Sequence, residues 1–203
     1  MKRFAWLLVA ALLCLFAPPA RASVQIAILF DELVQTSSSV AVVTGLEQKS
    51  VWEEGRIYTY TRVRCDRALA GELKQGGEAW IRTMGGVVGD VGQSVSGEAA
   101  IGVGSPSIVF VHAGPAGSLE VTARAQGQYP VIKDAARNER TARAPDLGAL
   151  LPAPQARVDR VRAIARAPMT TSATQAAVEV ASGRTVDELA RDVGLAWQRT
   201  HAR

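Results

Sequence analysis

Ile57-Tyr58-Thr59-Tyr60-Thr61-Arg62-Val63-Arg64-Cys65 is a run of nine residues, dominated by aromatic and β-branched types, with no Gly or Pro. Such a run favours an extended, pleated backbone whose side chains alternate between two faces. Ile57, Thr59, Thr61, Val63 and Cys65 share one face, and Tyr58, Tyr60, Arg62 and Arg64 share the other, so a core side and a solvent side are set. Just upstream, Glu53-Glu54-Gly55 is polar and carries the Gly that a hairpin turn uses, and before it Val40-Ala41-Val42-Val43-Thr44 is apolar enough to be buried on both faces. These two runs are expected to pair antiparallel. Downstream, residues 71–77 hold a turn and Glu78-Ala79-Trp80-Ile81-Arg82-Thr83-Met84 alternates as a third strand. Ser107-Ile108-Val109-Phe110-Val111-His112 is a fourth, and residues 118–124, with Leu119, Val121 and Ala123 facing inward, are a fifth. The glycines at 85, 86, 89, 92, 97, 102 and 104 mark turns, bulges or close backbone approach. Short strands joined by short turns predict a mainly β fold, a small closed or partly open antiparallel β-barrel.

Helices are expected at both ends of the barrel. Ile26, Leu29, Phe30, Leu33 and Val34 recur at helical spacing and predict a short N-terminal helix, with Asp31 and Glu32 on its far side. Thr185-Val186-Asp187-Glu188 has the capping-box pattern, and Val186, Leu189, Ala190, Val193 and Trp197 form an apolar stripe behind it. Arg199, His201 and Arg203 complement the dipole at the end of this C-terminal helix. Between barrel and helix the composition turns to Ala, Arg and Pro, which suits a flexible linker, although Val158, Val161 and Ile164 keep the spacing of a short basic helix. The organisation read from these shifts is a signal peptide over 1–22, a β-barrel domain over 23–132 that folds without the linker, the linker over 133–168, and a C-terminal helical segment over 169–203.

Lys2 and Arg3 precede an almost wholly apolar run over residues 4–17, and Ala20-Arg21-Ala22 supplies the small-residue pattern of a signal-peptidase site. The run is shorter than the roughly 20 residues of a bilayer span, and Pro18-Pro19 follows it, so export to the periplasm or beyond is expected, with no membrane span after cleavage. Cys14 would leave with this segment, so Cys65 would stand as a lone thiol without a disulfide partner. The formal charge of +4 falls to +1 once Lys2, Arg3 and Arg21 are removed, since the segment has no acid. Residues 23–132 carry 8 basic and 11 acidic side chains and residues 133–203 carry 12 and 8, a modest asymmetry that does not argue for a nucleic-acid partner.

Familiar chemistries lack their residues. His112, His201 and Cys65 include no two at zinc-ligand spacing, so no metal or cofactor is expected. The glycines over 85–92 are followed by Gln93-Ser94-Val95-Ser96-Gly97, not by the Lys-Ser/Thr and helix of a phosphate loop. Ser94 and Ser96 lack the frame of a nucleophile elbow, and the carboxylates are scattered. Cys65 falls on the core face of its strand, where a thiol is a small inert hydrophobe. What remains is the outward stripe of Tyr58, Tyr60, Arg62 and Arg64, an aromatic and cationic surface suited to stacking on a ligand or meeting another protein.

Phe30-Asp31-Glu32-Leu33-Val34, Val40-Ala41-Val42-Val43-Thr44-Gly45, Gly55-Arg56-Ile57-Tyr58-Thr59-Tyr60-Thr61, Thr83-Met84-Gly85-Gly86-Val87-Val88-Gly89 and Gly97-Glu98-Ala99-Ala100 together resemble a group of secreted bacterial β-barrel proteins of unassigned function, over residues 29–132. Their strand pattern is similar to the oligonucleotide/oligosaccharide-binding (OB) barrel and to the netrin-like barrels that inhibit metalloproteases through an N-terminal Cys; here the exported chain would start at Ser23. The resulting expectation is an exported, non-enzymatic binding protein acting on a protein or envelope glycan. The alternatives are a hydrolase or thiol enzyme on the same scaffold, or an inhibitor of netrin-like type.

Overall fold

The computed structural model describes residues 24–134, 139–164 and 171–201. The expected signal peptide, and residues 135–138 and 165–168 of the expected linker, lie outside these. In chain order the elements are β1 (Val24–Ile26), α1 (Phe30–Gln35), β2 (Ser39–Glu53), β3 (Arg56–Gly71), β4 (Glu78–Met84), β5 (Gly86–Val88), β6 (Val91–Gln93), β7 (Pro106–Ala113) and β8 (Leu119–Val121). There follow β9 (Gln128–Asp134), β10 (Glu139–Ala142), β11 (Ala149–Leu151), α2 (Gln155–Ile164), α3 (Ala177–Ala181) and α4 (Val186–His201). The fold is mainly β, with helices gathered toward the C-terminus.

The long β2–β3 hairpin organises the sheet. Glu54 (φ 49°) and Gly55 (φ 77°) both have the positive φ that a two-residue turn of type I′ demands. From it the strands pair antiparallel from Glu53↔Arg56 to Ser39↔Gly71, with register shifts near Val40, Val42 and Gly45. β4 adds antiparallel to β3, and β7 adds antiparallel to the first part of β2. β8 pairs antiparallel with β7 and, over Ile81↔Leu119 and Arg82↔Glu120, parallel with β4, so the pairings run in a ring through β2, β3, β4, β8 and β7. That parallel contact departs from an all-antiparallel expectation. β9 and β10 extend the sheet beyond β7, and β5–β6 form a separate hairpin from the glycine-rich segment.

Two cores lie on opposite faces of β2 and β7. Ala41, Val43, Val63, Cys65, Ile81, Ala99, Ile101, Val109, Val111 and Val121 fill the ring. Val40, Val42, Ile108 and Phe110 point the other way and pack with Phe30, Leu33, Val34, Tyr129 and Val131 and with Ala177, Val180, Leu189, Val193 and Ala196 of α3 and α4. Phe110 sits edge-on to both Phe30 and Tyr129, with ring centroids 6.4 and 6.1 Å away. The α4 stripe therefore completes the second core.

Three expectations are corrected here. Ile26 is not part of a helix: β1 pairs parallel with β11, and α1 begins only at Phe30. Asp31 does not face solvent. It is 2% exposed and accepts two hydrogen bonds from Arg199, at 2.8 and 2.9 Å, which neutralise its charge inside the protein. Residues 133–168 do not read as bare linker where described. β10 pairs with β9, Ala142 N–H donates to Arg184 O, Gly183 N–H donates to Ala142 O, and α2 covers the segment read as a possible helix. These hydrogen bonds, with the burial of Ala142, Leu147 and Val161, order the described part of the segment. Because the second core draws on residues from 30 to 196, residues 23–132 contain the whole core of the ring but only part of the second.

The capping box is formed: Thr185 Oγ1 accepts from the Glu188 N–H at 3.2 Å and Glu188 accepts from the Thr185 N–H at 3.0 Å. Removing either member of the Asp31–Arg199 pair strands the other as a buried charge. Asp31→Ala or Arg199→Ala is expected to cost about 3–5 kcal/mol, against about 1 kcal/mol for Thr185→Ala, read as shifts in denaturant midpoint.

Candidate functional site

The pleat of β3 puts Tyr58, Tyr60, Arg62 and Arg64 on its outer face, while Ile57, Thr61, Val63 and Cys65 are buried. Register brings further side chains alongside. Lys49 and Arg82 flank Tyr60, Glu47 and Trp80 flank Arg62, and Val51 and Met84 flank Tyr58. The described contacts of β3 with α4 lie at its far end, where Arg67 bonds Asp187, so the helix leaves the stripe uncovered.

The arginines on this face are paired. Arg62 donates to Glu47 at 2.9 Å and to Glu78 at 2.7 Å, and these carboxylates, Glu78 foremost, hold its guanidinium more firmly protonated. Arg82 donates to Glu53 at 2.9 Å and to Glu120 at 2.6 Å. Burial works against its charge, but these two hydrogen bonds outweigh burial and raise its pKa. Arg64 pairs with Asp66 at 3.0 Å. The Arg82 guanidinium lies 3.5 Å from the Tyr58 ring centre, and the Lys49 ammonium lies 5.1 Å from that of Trp80. Tyr58 is thus capped, whereas Tyr60 and Trp80 border an open hollow of about 310 Å³. Lys49, Val51 and Glu53 form one side of it, and Ala116, Gly117 and Ser118 of the β7–β8 loop form the other.

The four residues singled out from sequence are brought to one face, and all four are engaged there: Tyr58 under Arg82, Tyr60 through its hydroxyl with Glu53, Arg62 with Glu47 and Glu78, and Arg64 with Asp66. Trp80, Lys49, Arg82 and Glu53 were missed. Alternation along β4 already put Trp80 and Arg82 on one face, yet only cross-strand register shows that it is the face of Tyr60.

Other reactive groups lie elsewhere. Cys65 is buried, and burial pushes its thiol pKa up. His112 Nδ1 is 3.2 Å from the Thr122 hydroxyl and its Nε2 is 3.7 Å from Glu120. A second cleft, of about 300 Å³, collects Arg82, Glu98, Glu120 and Arg124 beside Tyr58; neither Cys65 nor His112 lines it. Burial raises the pKa of the Glu98 carboxyl there. Among the described residues no group of three or more His, Cys, Asp or Glu could hold a metal ion.

Tyr60 donates its hydroxyl to Glu53 at 2.7 Å. This bond is the largest cause of a lowered Glu53 pKa, and burial followed by Glu53 raises that of Tyr60. A depressed carboxylate pKa contributes stability that is present above its unfolded value and lost as pH falls through the folded value. Tyr60→Phe should therefore move the Glu53 titration upward toward the ordinary glutamate value, measured by NMR of the carboxyl carbon, and move the acid-side loss of stability to higher pH. No family model, no curated protein and no solved structure matches the chain.

Proposed function

We propose that this chain is an exported, non-enzymatic binding protein that acts on a protein or a glycan of the cell envelope through the outer face of β2, β3 and β4. The observation that carries the reading is the hollow at Tyr60 and Trp80, an aromatic floor between β2 and the β7–β8 loop, lined by Lys49, which lies over Trp80, and by Glu53, which is paired with Arg82. Paired guanidiniums are poor partners for a polyanion, which wants free positive charge. Aromatic rings ringed by hydrogen-bonding side chains suit a neutral sugar or a protein surface, where apolar stacking and directional hydrogen bonds act together.

The ring is read as a partly open barrel of OB type. In support, five strands take part, the second and third carry the aromatic face, and the turns after the first and fourth flank it, as in OB folds that bind oligosaccharides and oligonucleotides. The likeness to secreted bacterial β-barrel proteins and the leader-like first 22 residues support the export part of the proposal. Among the described residues no helix is long and apolar enough to cross a membrane.

The test is retention of the purified chain on isolated envelope glycan and on the protein fraction of the same envelope. Tyr60→Ser with Trp80→Ser is expected to weaken binding about tenfold or more, as loss of one or two stacking contacts of about 1–3 kcal/mol each does, with the fold intact by circular dichroism. Undiminished retention of the double variant would place the binding surface elsewhere.

A further inference from the structure

The distal half of β2 has only one neighbour strand. β7 pairs with β2 no further than Thr44, and the 101–104 segment takes over at Gly45, where Gly104 N–H donates to Gly45 O at 2.8 Å. Beyond that point β2 pairs with β3 alone. Which backbone groups then face outward follows from Ile57. Its carbonyl accepts from the Gly85 N–H at 2.7 Å and its N–H donates to the Gln93 side chain at 2.8 Å, so both point away from β2. Trp52↔Ile57 is therefore a pair without mutual hydrogen bonds, and by the alternation of an antiparallel ladder so are Ser50↔Thr59 and Gln48↔Thr61. The N–H and C=O groups of Gln48, Ser50 and Trp52 thus point to the open edge, and among the described residues nothing pairs with them.

The usual guards of a free edge are weak here: the irregularity between Gly45 and Glu47 lies before the open stretch, and the acids Glu47 and Glu53 are turned to the outer face and paired with Arg62 and Arg82. There is no Pro between residues 46 and 53, and the one Lys, Lys49, lies over Trp80 on the outer face. On the inner face, beside the same edge, an open cleft of about 640 Å³ runs between Gln48, the β5–β6 hairpin and Ala99, Ala100, Ile101 and Gly102. β5 roofs that face so closely that a side chain at Gly86 would meet Ser50 Oγ at 2.4 Å. Trp52, on the same face as Gln48 and Ser50, is 51% exposed.

We infer that this edge is a self-association site, at which β2 pairs antiparallel with β2 of a second copy about a two-fold axis through Ser50. The outward backbone groups of the edge are complementary to themselves, and on the outer face Glu47 of each copy comes opposite Glu53 of the other, each acid already paired with an arginine of its own copy. With Ser50 opposite Ser50, Gln48 of each copy meets Trp52 of the other, and the outward groups of the three residues form on the order of six backbone hydrogen bonds. Side chains of directly opposed residues share a face, so the exposed Trp52 of each copy is carried to the mouth of the other's cleft beside Gln48. The contact is isologous and closes at two copies. The hollow at Tyr60 and Trp80 lies on the opposite face and stays open, so this inference stands apart from the binding reading.

Sedimentation velocity over a concentration series of the purified chain tests it. A monomer–dimer equilibrium is expected, with its dissociation constant raised at least tenfold by Ser50→Pro, which removes one outward N–H, and by Trp52→Ser, and unchanged by Trp80→Ser. Ser50→Cys gives an independent measurement that does not require the proline to be tolerated. Directly opposed hydrogen-bonded residues have Cα atoms about 5.5 Å apart, inside the range of about 4.4–6.8 Å for a disulfide. Under mild oxidation this variant should become a covalent dimer that the parent chain does not form. A chain monomeric throughout the series, with no disulfide dimer from Ser50→Cys, overturns the inference, and so does a dimer indifferent to Ser50→Pro and Trp52→Ser.

Discussion

Val40 and Val42 on one face of β2, and Ala41 and Val43 on the other, belong to two different cores. A strand buried on both faces cannot slip by one residue without driving apolar groups into the wrong environment, or rotate without opening both cores. β7 is constrained in the same way by Ile108 and Phe110 against Val109 and Val111. These paired strands form the wall shared by the ring and the helical layer, and the other elements take their positions from it. β3 and β4 close the ring on one side. α1, α3 and α4 roof the wall on the other.

The buried Asp31–Arg199 pair joins the ends of the described chain across the helical layer. An ion pair taken out of water recovers in attraction little more than it loses in hydration, so its contribution to net stability is small while the penalty for an alternative packing is large. Here it fixes where α4 sits on α1. A helix held only by an apolar stripe could slide by a turn along the core at modest cost; one carrying a charge that has a single buried partner cannot. The capping box at Thr185 and Glu188 fixes the start of the same helix, so α4 is anchored at both ends and packed between them.

The outer face of the hairpin shows how a stripe that looks cationic in one dimension is met by carboxylates in three. Arg62, Arg64 and Arg82 lie on two adjacent strands, and carboxylates from β2, β3, β4 and β8 are delivered between them by register. What the face then presents is aromatic surface with hydrogen-bonding edges, its guanidiniums fixed in direction by their carboxylates. Preorganisation of this kind lowers the entropy lost on binding and favours partners recognised by shape and hydrogen bonding over those recognised by charge.

Local pattern alone marked, in whole or in part, the five strands of the ring, the hairpin turn that carries Gly55 and the capped C-terminal helix; β1, β5, β6, β9, β10 and β11 were not legible in it, and β8 ends at Val121, before the left-handed Ala123. Each legible element is set by neighbours within a few residues: alternation of side chains, positive φ at a turn, a hydroxyl three positions before a carboxylate. Tertiary structure decided what depends on partners distant in sequence. Asp31 reads as a solvent residue on a helical wheel until Arg199, at the other end of the chain, comes to meet it. The segment after residue 132 reads as linker because Ala, Arg and Pro dominate it, and its described part is ordered by backbone groups supplied by β9 and by Arg184 and by the burial of Ala142, Leu147 and Val161. Tyr58 and Tyr60 are equivalent in sequence, and the structure separates them by placing a guanidinium over one ring and a hollow beside the other. Hydrophobic period and turn chemistry are local properties and survive in one dimension; ion pairing, register and the covering of an edge are made between segments, and only the fold brings those segments together.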